Sequence, residues 1–248
     1  MRLMKRILSA AAVLALSASL LVGCSSGTAS SVPVSASSAA ESTVSSVEET
    51  ASSAVDENEA AAAQLLNDLT GSYQELWPVI LADEYKQTWL DDCTALVGED
   101  NAEAAFEKLS SMVTGDVYGE DAVKAYANGG GAYFCGFTNS LATLTFDGET
   151  STISGTDKDG NVLFSHTYHY IGMEPVHGLY EFESDDADSG EFTYFFLAPD
   201  TSAETYHIEF RYGSDAEALS QYDAGEYAYW VASGISTDCD QTMIDNCI

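Results

Sequence analysis

Positive charge is the property that this sequence has least of. Its 248 residues include only eight lysines and arginines against 40 aspartates and glutamates, so the formal net charge at pH 7 is −32. Three of the eight, Arg2, Lys5 and Arg6, lie close to the N-terminus. Such an acidic surface repels phosphate backbones and anionic lipid headgroups. The composition therefore excludes nucleic acid as a partner and favours cations or basic partners, although acidity alone also keeps an exported protein soluble.

The sequence also lacks the motifs of several enzyme and redox classes. It has no Cys-x-x-Cys pair, which leaves a thiolate zinc site or a thioredoxin-like dithiol without support. It has no Gly-x-Ser-x-Gly elbow and no phosphate-binding glycine loop. Serine, histidine and aspartate are present, but their spacing indicates no catalytic triad. We therefore predict that the protein is not an enzyme.

The main apolar run lies at the N-terminus, over residues 7–22. It follows a basic start and ends in Leu21-Val22-Gly23-Cys24, which looks like a bacterial lipobox, so we predict a lipoprotein signal peptide over residues 1–23. Cleavage before Cys24 and lipidation of its sulfur would anchor the protein in the cell envelope, on the outer side of a bacterial membrane. A spanning helix is the alternative, but the run is short for a span and includes serines.

Export would leave the other four cysteines in a compartment where disulfides persist. They are Cys93, Cys135, Cys239 and Cys247. Four cysteines allow three pairings, and the sequence does not choose among them, although Cys239 and Cys247 could close a small loop. Free, buried thiols are the alternative.

Beyond the signal peptide, composition divides the chain into three parts. Residues 24–56 are rich in Ser and Ala and contain no aromatic residue, so we predict a flexible tether that cannot bury enough apolar surface to fold. Residues 57–236 carry the aromatic and periodic segments and are predicted to form the folded domain. Residues 237–248 are predicted to be a C-terminal tail.

Within the domain, helical patterns come before strand patterns. Capping boxes are predicted at residues 100–103 and 214–217, and the pairs Asp147-Gly148 and Asp159-Gly160 indicate hairpin turns. The predicted helices cover residues 57–69, 78–96, 100–112, 120–127 and 214–222. The predicted strands cover residues 132–137, 142–146, 150–154, 162–170, 178–184, 192–197 and 205–212. Helices followed by a meander of short antiparallel strands predict a mainly β protein, a small barrel decorated with helices.

The last predicted strand carries the best candidate metal ligands. Side chains alternate along a strand, so His207, Glu209 and Arg211 share one face. A histidine and a carboxylate two residues apart lie about 6–7 Å from each other at their Cα atoms, within reach of one ion. The alternative is a structural pair, in which Glu209 bonds to Arg211 or His207 inside the barrel without a metal.

Two blocks of sequence resemble one family. The run HIEFRYG at residues 207–213 resembles the closing motif of the ZinT (YodA) family of bacterial zinc-binding proteins, in which His-aromatic-His lies on a strand before a glycine and a helix. The run DLTGSYQELWP at residues 68–78 resembles the pattern that opens the domain in that family. The resemblance covers residues 66–235 and implies a lipocalin-like (calycin) barrel, zinc binding and a role in metal capture, with transfer to the binding protein of an uptake system.

The resemblance also assigns ligands to positions of this chain. His207 takes the place of the family's first histidine, Glu209 takes the place of the second, and Phe195, which cannot bind metal, takes the place of the third. Replacement ligands could come from Glu204, Asp200, His177 or His169. His166 and His169 are three apart on a strand and therefore face opposite sides, so they cannot chelate one ion together.

Two functions follow from these observations. The first is a membrane-anchored lipoprotein whose barrel holds zinc, or another divalent transition metal, through His207, Glu209, Glu204 and His177. The second is a metal-free lipocalin-like module whose aromatic-lined barrel binds a small apolar ligand or a protein partner. An interior already filled by side chains would argue against the small ligand.

Overall fold

The computed structural model describes residues 57–131, 133–198 and 207–248. The predicted signal peptide, Cys24 and the tether lie outside the described residues, as do Asp200 and Glu204. Residues 58–248 form one compact unit. Within the described residues, no helix combines the length and the apolar composition needed to cross a membrane.

The helices lie mainly before the barrel strands, as predicted. Helix α1 covers residues 57–68, and the later helices are α2 (Leu76–Ile80), α3 (Lys86–Val97), α4 (Glu99–Val113), α5 (Glu120–Ala127), α6 (Ala216–Leu219) and α7 (Gln241–Cys247). Short 3-10 turns occur at Asp83–Tyr85 and Gly190–Phe192. Helix α5 has the predicted bounds. Helix α7 lies within residues 237–248, and its Ile244 and Cys247 are buried.

Eight antiparallel strands close into a barrel in the order of the chain. The strands are β1 (Gly71–Glu75), β2 (Thr143–Asp147), β3 (Thr152–Thr156), β4 (Val162–Met173), β5 (Tyr180–Ser184), β6 (Tyr194–Leu197), β7 (His207–Gly213) and β8 (Ala232–Ser236). Each strand pairs with the next, and β1 pairs with β8. The predicted fold class, a small antiparallel lipocalin-like barrel with flanking helices, is confirmed.

Several predicted element boundaries are wrong; the predicted helix over residues 78–96, for example, is divided into α2, a 3-10 turn and α3. Residues 133–137 do not form a regular strand, because Phe134 makes only isolated bridges to Thr114 and Trp230. The predicted cap at Asp100 is displaced by Gly98, whose φ of 84° lets it end α3 and begin α4 at once. Helix α6 is capped by Asp215, which accepts from the Ala218 N–H at 3.0 Å, and it ends at Leu219 rather than near residue 222.

Aromatic and aliphatic side chains fill the barrel interior. Phe195 lies against Tyr168, with ring centroids 5.4 Å apart, and against Tyr212, also at 5.4 Å. Phe164 stacks on Phe192 at 3.9 Å. Helix α1 adds Leu65 and Leu66 to the same core, and Leu69 follows directly after the helix. An interior packed in this way does not favour the small apolar ligand of the second function.

Candidate metal site

Strand β7 determines where the candidate ligands lie. Ile208, Phe210 and Tyr212 belong to the barrel core, which confirms the predicted alternation. His207 and Glu209 therefore lie on the outer face of the strand. The inward positions of β7 are taken by large apolar side chains, so an ion bound by His207 and Glu209 would lie outside the barrel interior.

The two candidate ligands are already close to each other. His207 Nε2 lies 3.7 Å from Glu209 Oε1, and the exposed fractions of their side chains are 14% and 44%. Two donors that share one tetrahedral zinc at bonds of about 2.1 Å are about 3.4 Å apart. A small side-chain adjustment would therefore let both atoms bind one ion, and the remaining positions are reachable from solvent through Glu209.

The structural alternative expected Glu209 to bond to Arg211 or His207. His207 lies 3.7 Å from Glu209, whereas Arg211 does not pair with it. The buried guanidinium of Arg211 donates to the carbonyl oxygens of Leu219, Gln221 and Tyr227, and it lies 4.2 Å from the centre of the Tyr222 ring. The arginine thereby holds the segment after α6 against the outer face of β7. Glu209 is left without a neutralising cation from this side chain.

Tyr222 lies beside this face. Burial raises the pKa of the Tyr222 hydroxyl, and the nearby Arg211 charge opposes that rise. The carboxylates of Glu174 and Glu209 raise the pKa further, so the hydroxyl keeps its proton at neutral pH. Tyr222 lies in a loop well beyond β7, and no spacing in the sequence relates it to His207 or Glu209.

Cys135 lies close enough to Glu209 for that charge to influence its thiol. Its carbonyl oxygen accepts from the N–H of Ser233 at 3.0 Å, and Ser233 pairs with Glu209 across β7 and β8. Burial raises the pKa of the Cys135 thiol to about 12, and the Glu209 charge adds to the shift. The thiol is therefore protonated at neutral pH in the metal-free protein.

His177 belongs to a different cluster. Its ring packs on Tyr222 with centroids 3.8 Å apart, and its Nδ1 lies 3.4 Å from Glu174 Oε2. Glu174 is fully buried and accepts from the backbone N–H groups of Val176 and His177. These bonds give His177 a role in holding the turn after β4.

The two histidines of β4 face opposite sides, as predicted. His166 Nδ1 lies 2.8 Å from Asp186 Oδ2, and its ring stacks near Phe164. His169 Nδ1 lies 2.7 Å from Asp185 Oδ1. Consecutive aspartates of the turn after β5 thus each bind one histidine.

Within residues 57–131, 133–198 and 207–248, no group of three or more His, Cys, Asp or Glu side chains is arranged to hold a metal ion. His207 and Glu209 are a pair, and His177 does not complete it. Cys93, Cys135 and Cys239 carry free thiols, so the small loop between Cys239 and Cys247 is not closed by a disulfide.

The topology defines the class of the domain as a closed eight-stranded antiparallel barrel with flanking helices. No family model matches the sequence, and no curated protein matches it either. The chain is similar to the Zn(II)-bound ZinT-like domain of Streptococcus pneumoniae AdcA, with 18% identity, a TM-score of 0.44 and coverage of 72% of this chain and 89% of that chain. It is also similar to Zn(II)-bound AdcA from Streptococcus pneumoniae, with 17% identity, a TM-score of 0.42 and coverage of 73% and 34%. The chain therefore spans only about a third of that AdcA chain.

Proposed function

We propose that this protein is an extracytoplasmic lipoprotein that binds a divalent transition metal, zinc above all, for metal capture or homeostasis. The observation that carries the proposal is the 3.7 Å separation between His207 Nε2 and Glu209 Oε1. A histidine and a carboxylate side by side on a strand would not by themselves indicate a metal site. Here the pair occupies the two positions of the zinc-binding motif that the sequence resembles.

The chemistry of the two donors supports zinc among the divalent ions. An imidazole nitrogen suits zinc, copper and nickel, whereas magnesium and calcium take oxygen ligands almost exclusively. A carboxylate in place of a second imidazole is still a competent zinc ligand, and it lowers the formal charge of the site. Neither Arg211 nor another lysine or arginine forms an ion pair with Glu209 among the described residues.

A pair of ligands does not complete a tight zinc site, which needs three or four. Glu204 and Asp200 are the nearest candidates in sequence, and both lie outside the described residues. We assign Glu204 as the third ligand, with water in the fourth position. His177 packs on Tyr222 and faces Glu174, so the proposed ligand set does not depend on it.

The lipid anchor on Cys24 and the tether over residues 24–56 are part of the proposal. The lipobox-like ending and the Ser/Ala-rich composition support them. An anchored domain with a mainly acidic surface would concentrate cations near the membrane and could hand an ion to the binding protein of an uptake system.

The test is the zinc content of the full chain, purified without chelator or nickel and measured by native mass spectrometry with elemental analysis. We expect about one zinc per chain to survive gel filtration. The double variant His207→Ala with Glu209→Ala should lose it.

The matched control is His166→Ala with Asp186→Ala, which removes the same pair of chemical groups from a hydrogen-bonded contact elsewhere on the barrel. It should keep the tightly held ion. A wild-type chain that stays metal-free after zinc is added, or a double variant that retains the tightly held ion, would refute the proposed site.

A further inference from the structure

Three side chains form a row across the outer face of strands β4, β5 and β6. His169 lies directly opposite Glu183, and Glu183 lies directly opposite Tyr194. Directly opposed residues of antiparallel strands have Cβ atoms about 5 Å apart on the same face. The imidazole, the carboxylate and the phenol therefore meet on three neighbouring strands.

Each of the two potential ligands in this row is oriented by another group. His169 Nδ1 bonds to Asp185 Oδ1 at 2.7 Å, which leaves Nε2 as the nitrogen that faces Glu183. The Tyr194 hydroxyl donates to Glu183 Oε1 at 3.0 Å, which leaves Oε2 to face the imidazole. Metal-binding histidines and carboxylates are held by outer partners in this same way.

His169 Nε2 lies 4.0 Å from Glu183 Oε2, which is too far for a hydrogen bond. A shared zinc ion would bring the two atoms to about 3.4 Å, a shift that exposed side chains make easily. Their exposed fractions of 52% and 38% leave room for water at the other positions of the ion. We propose that His169 and Glu183 form a second, solvent-open zinc site, with Asp185 and Tyr194 as positioning residues.

This second site is separate from the pair on β7. The row through Glu183 and Tyr194 continues to Gly213 on β7. Gly213 is four residues from Glu209, which corresponds to about 13 Å along a strand. One ion cannot be bound by both pairs, so the two proposals fail or succeed independently.

The test is carried out on the full chain with His207→Ala and Glu209→Ala already in place, so that only the second site is measured. Zinc binding is followed by competition with a chromogenic chelator. In that background His169→Gln and Glu183→Gln should each weaken zinc binding by about 10- to 100-fold, and Tyr194→Phe by about 10-fold. Calcium should compete poorly, because the site contains an imidazole.

Two control variants distinguish a specific zinc site from a general attraction of zinc to the acidic surface. Asp188→Asn removes one exposed negative charge from the neighbouring turn, and His166→Gln removes an imidazole from the same strand. Both should leave zinc affinity within about 2-fold of the background, since exposed charges interact weakly. The proposal is overturned if Asp188→Asn weakens binding as much as Glu183→Gln, or if His169→Gln binds zinc as tightly as its background.

Discussion

Arg211 is a fully buried cation on the outer face of β7. Its guanidinium donates to three backbone carbonyl oxygens and covers the Tyr222 ring. Replacement by methionine would keep much of the volume but leave those carbonyl groups without their donor. We expect Arg211→Met to lower the free energy of unfolding by at least about 2 kcal/mol in urea denaturation, because each unsatisfied buried group costs about 1–3 kcal/mol.

The control for this prediction is Lys108→Met, which removes a cation from an exposed helical position. Its effect should stay within about 0.5 kcal/mol, as for most surface substitutions. Equal stability of Arg211→Met and the wild type would show that the arginine does not hold the segment after α6.

Cys135 should give the stability of the fold a dependence on alkaline pH. Burial raises its pKa to about 12 from 9.0, so the folded state holds the thiol proton more tightly than the unfolded state. The contribution of the protonated Cys135 thiol to the stability of the fold is therefore fully present below pH 9 and is lost as the pH rises towards 12. We expect Cys135→Ala to lose less stability than the wild type between about pH 8 and about pH 11, measured by urea unfolding.

Ser233→Ala serves as the comparison, because it removes a small buried side chain that does not titrate. It should change stability by a similar amount at both pH values. If Cys135→Ala and the wild type lose the same stability over this range, the thiol is not shielded from solvent in the folded protein.

The turn between β2 and β3 holds helix α1 on the barrel. A Cβ atom added to Gly148 would lie 2.4 Å from Asn67 Cα and 2.5 Å from Asn67 N, and the Gly148 N–H donates to Thr70 Oγ1 at 3.0 Å. We expect Gly148→Ala to cost about 1–3 kcal/mol, because the backbone of α1 must move away. Hydrogen exchange should show the loss of protection concentrated in α1.

Gly131→Ala is the matched substitution, since a Cβ atom there would meet nothing within 4 Å. It should leave both stability and the exchange of α1 close to wild type. Unchanged protection of α1 in Gly148→Ala would mean that the helix does not rest on this turn.

Local signals in the sequence predicted the middle of the barrel well and its ends poorly. Asp147-Gly148 and Asp159-Gly160 mark the turns that separate β2, β3 and β4, because such pairs adopt hairpin geometry with little help from the rest of the chain. Strand β1, Gly71–Glu75, is not among the predicted strands. Strand β8 contains Gly234, which pairs with Ile208, and the strand depends on both β1 and β7 for its partners. Long-range pairing of this kind leaves no local pattern.

The same limit applies to the candidate site. Alternation along β7 correctly placed His207 and Glu209 on one face, since that rule is local. It could not say which face is the interior, because that depends on the strands to either side. Tyr222 and Cys135 are distant from Glu209 in the sequence, and folding brings them close enough for its charge to raise their pKa values. No pattern near them in the sequence predicts this proximity.

The charge of the whole chain should make its stability depend on salt. With 40 acidic and eight basic residues, like charges repel across the surface, and this repulsion is relieved when the chain expands. Raising NaCl from about 0.01 M to about 0.1 M shortens the Debye length from about 30 Å to about 10 Å. We therefore expect the melting temperature of the metal-free full chain to rise, as measured by calorimetry.

Choline chloride at the same ionic strength provides the control, because screening does not depend on the identity of the cation. It should raise the melting temperature as much as NaCl does. A melting temperature that falls with added salt would indicate that attractive ion pairs outweigh the repulsion.

Closure of the barrel between β1 and β8 determines when the domain can fold during synthesis. Residues 73–75 pair with residues 234–236, so the first and last strands must both be present before the cylinder can form. While the chain is still being synthesised, the partial sheet exposes two unpaired edges, on β1 and on β7, that can recruit other chains. Assembly is thus deferred until the far end of the domain has emerged. A chain interrupted before residue 232 would remain an open, aggregation-prone ribbon rather than a smaller version of the same protein.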